Sequence, residues 1–179
     1  MRNTRANLEL VAQIAIAIAS IVVAGVLVKR HVFAPQSRPN VPQISAGEKL
    51  NVPNVDWEKN KKSLVFFLRK GCVYCTASAP FYRELVTEAS KKNVTSIAIL
   101  PQSLDDAREY LKSLNLPIEN VQTGSFSSYK VNGTPTVMFV DRHGRIRNVW
   151  FGAAPEREKE MRERLNTLFE ESSDDVSLR

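Results

Sequence analysis

The chain contains two cysteines, three positions apart in Gly71-Cys72-Val73-Tyr74-Cys75, directly after the apolar run Ser63-Leu64-Val65-Phe66-Phe67-Leu68. At that spacing two thiols on a helix are nearly one turn apart and can close a disulfide. A strand running into a helix N-terminus puts Cys72 among unpaired backbone N–H groups at the positive end of the helix dipole, where a thiolate is favoured. The expected chemistry is redox exchange at sulfur, with the Cys72–Cys75 pair as the redox group and no further cofactor. Zinc is disfavoured: a tetrahedral site needs four ligands, and the sequence adds to the two cysteines only His31, beside the long apolar segment, and His143, in a turn-like Asp-Arg-His-Gly stretch. A purely structural disulfide closing so short a loop would constrain the unfolded chain very little. Arg69 and Lys70 directly precede the pair and are candidates for holding Cys72 as thiolate through their charge.

The elements that must position this pair alternate along the chain. Ser63 to Leu68 reads as a buried strand, and Cys72 to about Ser90 as one helix with Ala79, Phe81, Tyr82, Leu85, Val86 and Ala89 on one face, kinked at Pro80. Thr95 to Leu100 is a second buried strand. Ser103 is the expected N-cap of a helix running to Asn115 and carrying Leu104, Ala107, Leu111 and Leu114. Asn120-Val121-Gln122 is a weak strand. Thr136–Val140 and Arg145–Phe151 flank Asp141-Arg142-His143-Gly144 as a hairpin, and Pro155 opens a helix with Met161, Leu165, Leu168 and Phe169 in register. This order predicts one α/β domain over residues 45–170, with residues 171–179 as a disordered tail.

Before that domain, Leu10 to Val28 is apolar except for Gln13 and Ser20, and as a helix it would span about 28 Å, close to bilayer thickness. We read residues 1–9 as a flank, 10–28 as a retained transmembrane anchor and 29–44 as a proline-rich linker. A cleaved secretory signal is the competing reading, but the run is long and no good small-x-small site follows it. Arg2 and Arg5 on one side balance Lys29, Arg30 and Arg38 on the other, so charge does not orient the segment. A tethered dithiol is of most use where protein disulfides form, which places the domain on the extracytoplasmic side, periplasmic or cell-surface. The net charge of +6 comes from bases interspersed with acids, as in Glu156-Arg157-Glu158-Lys159-Glu160, which is a solvated helix face and not a nucleic-acid surface.

The strand, Cys-x-x-Cys, helix with Pro80, then Gly133-Thr134-Pro135-Thr136 before a hairpin ending at Phe151-Gly152-Ala153, resembles the thioredoxin superfamily. With the inserted helix after Ser103 and the anchor, the closer resemblance is to membrane-tethered TlpA-type, redoxin-like thiol:disulfide oxidoreductases. The resemblance implies a thioredoxin-like fold, a central mixed sheet flanked by helices. It also implies that Cys72 attacks and Cys75 resolves, that Pro135 is cis, and that Thr134 and Pro135, with Val73 and Tyr74, meet an extended substrate. Two departures stand out: Phe66 occupies the place of the carboxylate six residues before the first cysteine in thioredoxin, and Ser78 that of a glutamate in some anchored reductases. The base for Cys75 is then absent, water, or a residue the sequence does not place.

The implied partners are proteins carrying thiols or disulfides and a membrane or soluble electron donor. Reduction is the expected direction. Two alternatives remain open at this point: a thiol peroxidase that resolves a sulfenic acid, against which Arg69 counts, and a tethered binding module delivering copper(I) through the dithiol.

Overall fold

The computed structural model describes residue 13, residues 16–20 and residues 43–170. Most of the 10–28 stretch, the 29–42 part of the linker and the 171–179 tail, the parts read as anchor, spacer and disordered end, lie outside the described residues. Among the described residues no helix is long and apolar enough to cross a membrane.

The Ser63–Leu68 run forms the centre of the sheet. Strand β1 (Lys62–Phe67) is buried along its whole length because it has neighbours on both edges: β2 (Thr95–Leu100) runs parallel to it and β4 (Thr136–Asp141) antiparallel. Strand β3 (Asn120–Thr123) adds parallel to β2, and β5 (Ile146–Phe151) antiparallel to β4, giving a five-stranded mixed sheet in the order β3-β2-β1-β4-β5. The weak strand is thus real, stabilised by its ladder to β2 and not by its own composition.

Strand periodicity divides the apolar residues between two cores. Leu64, Phe66, Ala98, Leu100, Val137 and Phe139 join one, and Val65, Phe67, Ile97, Ile99, Met138 and Val140 the other. The first core is closed by helices α3 (Ala79–Lys91), α4 (Leu104–Ser113) and α5 (Pro155–Glu170), through Tyr82, Leu85, Leu111, Met161 and Leu165 among others. The second is closed by less regular chain: Ile44, Leu50 and Val52 before the short helix α1 (Trp57–Asn60), and Phe126 and Tyr129 from a 3-10 turn (Phe126–Tyr129). These pieces carry no helical or strand periodicity, so the sequence reading missed the 3-10 turn and α1.

Two expectations need correcting. The helix expected over Cys72–Ser90 is two helices, α2 (Val73–Ala77) and α3, divided at Ser78. Pro80 lacks an N–H and so falls in the first turn of a new helix, where the backbone donors have no helical partner to lose. Leu104 does not belong to the core. It sits at the first position of α4 with 38 % of its surface exposed, while Ser103 caps the helix as expected, its Oγ accepting from the Asp106 amide at 3.3 Å. The hairpin strands hold, but their ladder shifts register between Phe139 and Val140.

A lysine lies inside this scaffold. Lys62 is 9 % exposed, and its Nζ donates to the carbonyls of Leu168 and Phe169 at 3.1 and 3.0 Å, in the last turn of α5. An ammonium there satisfies carbonyls with no helical partner and opposes the negative end of the helix dipole. Lys62→Met should therefore lower stability by about 1 to 2 kcal/mol, seen as a fall in the urea midpoint at constant m-value.

Candidate active site

The register explains how residues sixty positions apart meet. Phe67, the last residue of β1, is paired with Thr136, the first of β4, in an antiparallel ladder. The chain leaving β1 towards Cys72 and the chain entering β4 from Thr134-Pro135 therefore lie at the same end of the sheet. Leu68 extends the pairing through its amide to Ile99. Arg69 to Cys72 then turns, with the Cys72 amide donating to the Arg69 carbonyl at 3.1 Å and Gly71 at φ +82°, a conformation that costs glycine little.

Cys72 is the N-cap of α2, and Cys75 sits in the helix with its sulfur joined to that of Cys72; the Cα atoms are 5.2 Å apart. The two sulfurs are inequivalent. Cys72 is partly exposed, whereas Cys75 is fully buried in the helix-covered core. The Cys75 amide donates to Cys72 Sγ at 3.1 Å, and once the disulfide is opened the same N–H is placed to hold a negatively charged sulfur. Across the cleft, Cys72 Sγ lies 3.5 Å from the Thr134 carbonyl oxygen.

The Thr134–Pro135 peptide is cis, as the resemblance implied. The loop around it is held from both sides: Thr136 Oγ1 donates to the Gly133 carbonyl at 2.8 Å, and the Gly152 amide donates to the Pro135 carbonyl at 2.7 Å. Val73 and Tyr74 stand beside the sulfurs with 76 % and 64 % of their surfaces exposed.

A match of the Redoxin family model spans residues 36–165. The chain belongs to the Redoxin family. No curated protein sequence matches it. Among solved structures it resembles the thioredoxin domain of a thiol-disulfide oxidoreductase from Bacteroides vulgatus at 17 % identity, covering 69 % of this chain and 99 % of that one with a TM-score of 0.56. It resembles a thiol-disulfide isomerase from Corynebacterium glutamicum at 18 % identity, with 75 % and 100 % covered and a TM-score of 0.54. A thiol:disulfide interchange protein from Bacteroides sp. is similar at 16 % identity, with 70 % and 91 % covered and a TM-score of 0.53. At these identities the likeness establishes the thioredoxin-like fold. Family membership together with the Cys72–Cys75 disulfide makes this redoxin a thiol–disulfide oxidoreductase.

The basic residues before the motif are engaged elsewhere in the redoxin domain. Lys70 Nζ is 3.1 Å from Asp106 Oδ1 and 3.7 Å from Glu109 Oε2, both on α4. The Asp106 hydrogen bond is the main cause that raises the ammonium's pKa, while Asp106 is lowered first by the Ser103 hydroxyl and then by Lys70. The Arg69 guanidinium lies 5.4 Å from the centre of the Phe126 ring. His143 is exposed in its turn, its Nε2 accepting from Arg142 Nε at 3.2 Å, and among the described residues no cluster of His, Cys, Asp and Glu could hold a metal ion.

The sequence reading named Ser78 as a departure but missed its partner. Ser78, 3 % exposed at the junction of α2 and α3, donates its hydroxyl to Glu158 Oε1 of α5 at 2.8 Å. Tyr82, one turn further along α3, also hydrogen-bonds Ser78. Burial is the main cause that pushes its phenol well above the usual value, the Ser78 bond opposing and the Glu158 charge adding to it. Glu158 is eighty positions from Ser78, within a run of alternating charges, so nothing in the sequence singled it out.

Proposed function

We propose that this redoxin is a membrane-tethered thiol–disulfide oxidoreductase that reduces or exchanges disulfides of extracytoplasmic proteins. The observation that carries the reading is the asymmetry of the pair: one sulfur at a surface edged by exposed Val73 and Tyr74, the other sealed in the core. Such an arrangement suits a two-step exchange. Cys72 thiolate attacks a substrate disulfide and expels one substrate thiolate. Cys75 thiolate then attacks Cys72 Sγ of the mixed disulfide, the bond to the substrate breaks, and the second substrate thiolate leaves. Two electrons pass from the protein dithiol to the substrate, and the protein is left as the Cys72–Cys75 disulfide.

In this reading Val73, Tyr74, Thr134 and Pro135 form the substrate-facing surface, the Thr134 carbonyl lying beside the attacking sulfur. The 10–28 stretch supplies the tether, and a membrane or soluble electron donor returns the pair to the dithiol. Extracytoplasmic placement follows from the chemistry, since that is where substrate disulfides persist.

Equilibration of the full chain with glutathione buffers, read by quantifying the reduced pair, tests the direction. A reductase should show a potential between about −200 and −270 mV, whereas a value near −120 mV, that of a strong oxidant, would reverse the assignment.

A further inference from the structure

The exchange reading needs Cys75, a fully buried thiol, to lose a proton before it can attack, and burial away from bulk solvent calls for a route that carries that proton out. We propose that Ser78 and Glu158 form the proton route from Cys75 to solvent; this rests on the two-step exchange reading. Ser78 follows Cys75 by three residues and continues its helical turn. The Ser78 amide donates to the Tyr74 carbonyl at 3.0 Å, and its φ and ψ are −86° and 1°. Residues three apart on a helical turn share a face, with Cβ atoms roughly 5 to 6 Å apart. Ser78 therefore lies on the same side of that turn as Cys75, and its hydroxyl is hydrogen-bonded to the Glu158 carboxylate, which is only partly buried.

A hydroxyl can pass a proton because it both accepts and donates. Ser78 Oγ takes the Cys75 proton while giving its own to Glu158 Oε1. The Cys75 thiolate forms the bond to Cys72 Sγ, and Glu158 returns its proton to water. Glu158 reaches the sulfur only through Ser78, and so is a positioning residue.

The surroundings leave Glu158 as the acceptor. From α3 the facing titratable group is Tyr82, which burial keeps protonated. From α4 it is Tyr110, whose hydroxyl lies 3.4 Å from Thr76 Oγ1. From α2 it is Tyr74, exposed on the outer side. On α5 itself, Arg162 is held by Glu84 at 2.6 Å and Arg157 donates to the Phe151 carbonyl.

The test uses the reduced full chain in detergent and the chromogenic disulfide of 5-thio-2-nitrobenzoate. The first thiolate released reports attack by Cys72, and the second reports attack by Cys75. Glu158→Gln keeps an acceptor for the Ser78 hydroxyl but cannot take its proton. It should leave the first release within about twofold of wild type and slow the second on the order of 100-fold at neutral pH, the gap closing as the medium becomes alkaline and hydroxide takes over. Ser78→Ala should do the same, and covers the case in which Glu158→Gln fails to fold. A second release within about twofold of wild type at every pH, or a slowing of both releases that does not depend on pH, would overturn the relay and leave the contact a structural tie. Wild-type protein that gives the first release and never the second would instead overturn the exchange reading itself.

Discussion

Cys72→Ser is expected to abolish disulfide exchange, lowering turnover of a protein disulfide such as insulin by a factor on the order of 10⁴ or more. Cys75→Ser is expected to stop the reaction part-way, with substrate covalently held on Cys72. The two outcomes differ because the sulfurs do. Only Cys72 is exposed to an incoming disulfide, between Val73, Tyr74 and the Thr134 carbonyl, so its loss removes the attacking group. Cys75 lies behind it in the core, fully buried and out of reach of an incoming disulfide. A serine hydroxyl at that position is hardly ionised at neutral pH and cannot displace a thiolate, so the mixed disulfide has no internal exit. Intact mass after mixing with oxidised substrate would show the adduct. Retained turnover in Cys72→Ser, or a substrate adduct on Cys75 in that variant, would reverse the roles.

The second large effect is on stability. Phe66→Ala should cost about 4 kcal/mol, which for a domain of roughly 125 residues is a fall of about 15 °C in Tm. Phe66 lies in the central strand, has no solvent exposure, and stacks edge-on against Tyr82 at 5.5 Å between ring centres. It is held by β2 on one side and β4 on the other, opposite Ala98 and Val137. The surrounding sheet cannot close over the missing ring, so the cavity adds to the lost burial. Tyr82 would also lose the wall that holds it against Ser78. A loss below about 1 kcal/mol by thermal or urea unfolding would show that the core relaxes into the space, and would contradict this packing. The position that a carboxylate occupies in thioredoxin is here a structural one, which leaves the proton chemistry of Cys75 to another element.

Much of this fold could be read from local pattern. The continuous apolar runs of β1, β2 and β4, the 3.6-residue spacing of Met161, Leu165 and Leu168, and the Ser103 cap are each written within a few residues, because buried strands and helix pitch leave short-range patterns. The Cys-x-x-Cys pair was legible for the same reason, since helix geometry alone brings the two sulfurs within reach. The resemblance added Thr134-Pro135, which no local rule would have brought to the sulfur.

What the sequence could not set out depends on contacts between distant segments. Leu50 and Val52 are buried because the second face of the sheet must be covered by some part of the chain. Lys70, placed beside the motif by sequence, turns to the acids of α4 once that helix is packed against it. Glu158 reads as one charge among many on a solvated helix until α5 docks on α3 and its carboxylate meets Ser78. Local spacing determined that this protein has a reactive sulfur pair on a strand-to-helix turn. Only the tertiary packing decided what surrounds that pair, because burial and hydrogen bonding between elements eighty residues apart leave no periodic trace in the chain.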